Sequence, residues 1–151
     1  MTTSYDIDVV AWSNEQAQLI RAGKFDQLDL EHLAEEIEDV GKSEQRELAN
    51  RMSVLLAHLL KWAFLSEHEP ELRASSDSWR LTIKEQRKRI VARLAKTPSL
   101  QKSLTDADWL GDAWVDAVAL ARRETGIVIF PEVCPWSMGD VLAEGLLPTG
   151  V

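Results

Sequence analysis

LEHLAEEIEDVGKSEQRELANRMSVLLAHLLKWAFL, residues 30–65, keeps its apolar residues in helical phase from end to end. Leu30, Leu33, Ile37, Leu48, Leu55, Leu59 and Trp62 fall on one stripe, because the interval from Ile37 to Leu48 is close to three turns at 3.6 residues each. The stripe predicts one long bundle helix. Gly41 followed by Lys42 and Ser43 has the composition of a C-cap, but the phase match on either side favours a helix that passes through, with at most a kink. After Ser53 apolar residues occupy nearly every side, which predicts a central place in the bundle or burial at a dimer interface. Glu44 and Arg51 also lie on the stripe, with His58 on its edge, where an ordinary core helix carries apolar residues. Those polar intrusions are the leading candidates for a site.

Working outward, Thr3 or Ser4 can cap a first helix over about residues 5–22, with Asp6 and Asp8 near its N-terminal dipole and Gly23 past its end. The link 24–29 is short, so the next helix is expected to return antiparallel, with Asp29 as its cap. Residues 66–78, with Pro70 and the SSDS run, read as a polar connection ending in good caps. A third helix over 79–96 buries Trp79, Ile83, Ile90 and Leu94 and carries seven basic residues against the single acid Glu85. A short turn around 99–103 follows, and Thr105 with Asp108 resembles a capping box for a fourth helix that ends at Gly126. Its inner face is Leu110, Ala113, Trp114, Ala117, Val118 and Ala121. The apolar return IVIF (127–130) and the extended FPEVCPW lead to a last short helix, capped by Ser137 and reaching Glu144. The expected fold is all-α: a four-helix bundle with a long second helix and a short C-terminal helix, one domain over 1–151.

The residues carry a resemblance. YDIDVVAW, RAGKFDQLD, EEIEDVGKSE, LLAHLLKW, SWRLTIKEQRKRI, TPSL and FPEVCPW together make the chain similar, over nearly its whole length, to the bacterial family named domain of unknown function twenty-nine. The resemblance implies a compact all-helical bundle, and it carries no established activity and no catalytic residues to transfer.

Composition narrows the function classes. A net charge of −8 opposes duplex DNA or an anionic membrane as main partner, since both repel the chain's mean field. The single cysteine, Cys134, asks for no oxidising compartment, and as a buried thiol with no histidine near it in sequence it reads as inert. The N-terminal stretch lacks the basic and apolar regions of a signal peptide. The longest apolar run, VLLAHLLKWAFL, falls well short of the ~20 residues that span a bilayer. The expected location is cytoplasmic.

Three sets of residues are candidates for chemistry. Glu35 and Glu38 stand one turn apart, a spacing suited to a divalent cation, and with Glu44 and His58 they form the candidate metal or ligand set of a site between helices. Glu44, Arg51 and His58 repeat every seven residues, roughly 10.5 Å in axial rise, so no small ion touches all three. The structural reading pairs Glu44 with a base of the third helix and satisfies His58 with a carbonyl or carboxylate. Arg80, Lys84, Arg87 and Lys88 form a candidate anion-binding row, read first as solvated or as paired with the acidic run Glu31–Asp39. His32, away from the apolar stripe, and His68 read as surface residues. No complete catalytic constellation appears. The reading is therefore a protein-interaction or regulatory scaffold, with a protein partner or homodimer; the alternative is a metal-dependent enzyme or small-ligand binder.

Overall fold

The computed structural model describes residues 3–68, 73–128 and 130–148, of which 66–68 and 73–76 by backbone alone. Regular structure among them is all helical: α1 (Val9–Arg21), α2 (Leu30–His68), α3 (Arg73–Lys96), α4 (Ala107–Thr125) and α5 (Met138–Leu142), with 3-10 turns at Phe25–Gln27 and Pro98–Thr105. The all-α class, the long second helix and the short last one match the sequence reading. The chain divides into two compact units, Met1–Ser43 and Glu44–Val151. α2 runs through the division without a break at Gly41, where a Cβ would meet nothing within 4 Å.

In the first unit α1 starts later than the sequence suggests. Asp8, not Thr3 or Ser4, is its cap, with a side-chain oxygen accepting from the Ala11 amide at 3.0 Å. Ser4 to Asp8 instead make a turn that keeps Tyr5 out of the helix. The helix ends in a Schellman arrangement: Gly23 takes φ +71, its amide reaches the Ile20 carbonyl, and the Lys24 amide reaches that of Leu19. Trp12 and Gln16, one turn apart on α1, are buried, and both grip Asp29. The Trp12 indole donates to its carboxylate at 3.0 Å, and its amide donates to the Gln16 side chain at 2.8 Å. The face of α2 engaged here carries His32 and Glu36. Leu30 and Ile37, expected on the buried stripe, lie on the far side at 100° per residue and are 68% and 72% exposed. Periodicity put them in phase with Leu48, but a stripe says nothing about where its cover ends.

The second unit holds the main core. Leu48, Met52, Leu55, Leu56, Leu59 and Leu60 of α2 meet Ile83, Ile90 and Leu94 of α3 and Ala113, Trp114, Ala117 and Ala121 of α4. The alanines let α4 come close, and each fully buried Leu or Ile contributes roughly 1.5–3 kcal/mol. The apolar second half of α2 is therefore central to this unit.

Further helix ends deviate from the sequence reading. α3 is already helical from Arg73, so the SSDS residues lie inside it; Pro70 and residues 69–72 lie outside the described residues. α4 is capped by Asp106, whose carboxylate accepts from the Asp108 and Trp109 amides, while Thr105 donates its hydroxyl to Lys102 in the preceding turn. α5 stops at Leu142, short of Glu144. Gly126 at φ +75 and the Ser137 cap are as expected. In the return segment, where Ile129 lies outside the described residues, Phe130 packs edge-on against Phe64 at 5.3 Å. The Trp114 indole donates to the Pro131 carbonyl.

Candidate functional site

The candidate metal set is divided between the two units. Glu35 and Glu38 are exposed in the first unit, whereas Glu44 and His58 belong to the second. Among the described residues no three carboxylate, imidazole or thiol groups converge as a cation site. Glu44 accepts from Arg93 of α3 at 2.6 Å, and Glu47 holds both Arg51 at 3.0 Å and Arg93 at 3.6 Å. His58 Nδ1 stands 2.8 Å from the Val54 carbonyl, which only accepts, so Nδ1 carries the proton and Nε2 the lone pair. That lone pair faces Lys61 Nζ at 3.5 Å. Lys61 is buried, pairs with Glu124 of α4 and stands 5.6 Å from the centroid of Trp79. Burial, with the nearby Lys61 charge, holds the His58 pKa below its usual value, so the ring is neutral at pH 7. These groups form two separate polar networks, one around Arg93 and one around Lys61.

His32, read from sequence as a surface residue, is instead half-buried at the centre of a cluster. Its Nδ1 lies 2.7 Å from Asp29, and the Tyr5 ring stacks on it at 4.2 Å, with Trp12 edge-on at 6.3 Å. The Asp29 carboxylate raises the His32 pKa through this hydrogen bond, and His32 in turn lowers that of Asp29. The couple orients an imidazole as general bases are oriented. The adjacent hydroxyl is nevertheless occupied: Tyr5 donates to Glu36 at 2.6 Å, which pushes its pKa up to about 12. The signal available in sequence was Asp-x-x-His at a helix start, where a cap and the third helical residue share a face.

The anion-binding row divides differently. Arg87 is buried, and its Nε donates to the Val141 carbonyl at 2.7 Å, with a second nitrogen 3.4 Å from the Asp140 carbonyl. It thus holds the C-terminal end of α5, where the Asp140 carbonyl also accepts from the Ala143 amide at 3.3 Å. Burial lowers its pKa from the ordinary value. Arg80, Lys84 and Lys88 are exposed, one turn apart in succession. Arg80 also lies 5.7 Å from the centroid of Trp62. The three border a groove of about 940 Å³ that runs along α3 from Asp77 to Ala95, walled by Leu142, Gly145 and Leu147. Leu81 and Val91, 67% and 50% exposed, supply apolar surface in it. Lys84 and Lys88 have no ion-pair partner among the described residues.

Cys134 is half-buried against the Trp136 carbonyl at 3.5 Å, and burial pushes its thiol pKa up, the opposite of an activated nucleophile. No described helix is long and apolar enough to cross a membrane. A family model described as Domain of unknown function DUF29 matches residues 4–147. No curated protein and no solved structure matches the chain.

Proposed function

We propose that this chain, which belongs to the family of the Domain of unknown function DUF29, is a protein-interaction module that seats a partner in the α3 groove. The observation that carries the reading is the row Arg80, Lys84 and Lys88 set beside exposed Leu81 and Val91 in one groove. From Asp77 to Ala95 the groove follows α3 for roughly 27 Å at 1.5 Å per residue, longer than most small ligands and about the length of five turns of helix. Mixed apolar and cationic lining suits a partner that buries apolar side chains while offering carboxylates. Three exposed cations in a row on a chain of net charge −8 run against its mean field, and such a patch steers anionic partners. On the same reading residues 1–151 act as one domain, supported by a family match that crosses the division at Ser43.

Placing a photoreactive amino acid at position 81 tests the proposal. Irradiation in cells is expected to give an adduct with a discrete protein, reduced by Lys84→Glu with Lys88→Glu. A folded chain that gives no adduct from position 81 refutes the groove as an interface.

A further inference from the structure

The acids and apolar residues that would fill this groove are present in the chain itself. Residues 1–43 hold ten acids against three bases, a charge of −7 out of the chain's −8, so residues 44–151 are close to neutral with a basic row on α3. At 100° per residue Glu31, Glu35 and Glu38 form one edge of α2 within about 60° of arc, and Leu30 and Ile37 lie beside them, 20° apart. All five side chains are exposed. Glu31, Glu35 and Glu38 have no ion-pair partner among the described residues. The acidic edge spans roughly 10.5 Å of axial rise and the row Arg80–Lys84–Lys88 roughly 12 Å, so the two can be matched charge for charge.

We infer that the occupant of the α3 groove is a second copy of this chain, which lays the exposed start of its α2 along Arg80, Lys84 and Lys88. The inference rests on the reading of the groove as an interface. Each copy carries both halves of the contact, so reciprocal use closes a pair, and one-way use builds an open chain. Two copies of charge −8 repel at long range, but screening decides against that repulsion. At physiological ionic strength the Debye length is about 8 Å, so charges tens of Å apart scarcely interact, whereas paired side chains about 4 Å apart do. Leu30 and Ile37 would cover Leu81 and Val91, removing apolar surface that each isolated copy leaves in water.

Charge exchange followed by sedimentation velocity tests this. Wild-type chain is expected to self-associate over the range from about 1 to 100 μM, and less so as salt is raised. A variant with Glu31→Lys, Glu35→Lys and Glu38→Lys, and another with Arg80→Glu, Lys84→Glu and Lys88→Glu, are each expected to be monomeric, weakened by about a hundred-fold or more, because like charges then face each other. Mixing the two variants juxtaposes the reversed edge of one with the reversed groove of the other and is expected to restore association. Circular dichroism checks that both are folded, and the single exchange Glu35→Lys with Lys84→Glu gives the same comparison with less perturbation. A wild-type chain monomeric throughout, variants that associate like wild type, or a mixture that stays monomeric each overturns the inference. If the wild type is monomeric while position 81 still crosslinks to a different protein, self-association fails and the groove interface stands. If both signals are absent, both fail.

Discussion

His32 and His58 each stand three residues from a charged partner on α2, yet the two units drive them in opposite directions. Asp29 precedes His32 and its carboxylate favours the imidazolium; Lys61 follows His58, and burial together with the ammonium favours the neutral ring. One histidine is stacked against Tyr5 at the centre of a small cluster, the other is half-buried between the Val54 carbonyl and Lys61. The sign of the neighbour and the depth of burial, not the spacing, set what a histidine does.

The sharpest way to separate the two regions is Trp12→Ala. Trp12 is buried and its indole holds Asp29, so its loss is expected to destabilise the first unit by about 3–5 kcal/mol. Hydrogen exchange should show α1 losing protection while amides of α4 keep theirs; equal loss in both would mean that the units open together. Glu124→Ala attacks the other cluster. It strands the buried Lys61 ammonium, and with the Glu124 side chain itself 44% exposed a cost of about 2–3 kcal/mol is expected, below that of a fully sealed pair. Lys61→Met, which leaves a carboxylate that can reach water, should cost less in the same denaturant titration. Reversal of that order would mean that the pair is held by packing of the lysine stem rather than by charge.

The smallest effect is the most diagnostic. His32 has a raised pKa, so its stabilisation is fully present below the unfolded value of 6.5 and is lost as pH rises through the higher folded value. His58 has a lowered pKa, so the core's preference for a neutral ring is satisfied above 6.5 and is lost as pH falls from 6.5 through the lower folded value. Ring-proton resonances followed by NMR should titrate on opposite sides of 6.5, and coincident midpoints would erase the contrast.

The bundle was legible in the sequence because helical periodicity reports phase. Leu48, Leu55, Leu59 and the set Trp79, Ile83, Ile90 and Leu94 are buried as their spacing implies, and Gly126 ends α4 in the left-handed conformation. The pairing of Glu44 with a third-helix base and of His58 with a carbonyl is present too. Phase does not report cover, which is why Leu30 and Ile37 read as core and His32 as surface. Caps were misplaced by one residue at Asp106, where two adjacent side chains of similar capping strength compete, and by several at Asp8. Arg87 could not be told from its basic neighbours, because only the fold brings residues 140 and 141 to it. The groove was invisible for the same reason: one wall comes from α3 and the other from residues about fifty further along.

Arg87 spends its charge on two backbone carbonyls rather than on an acid. Those carbonyls belong to the segment that walls the groove, so the residues after Trp136 act as a strap buckled to α3 by one guanidinium. A protease that cut this strap would do two things at once: it would open one side of the groove and leave a buried cation without its acceptors.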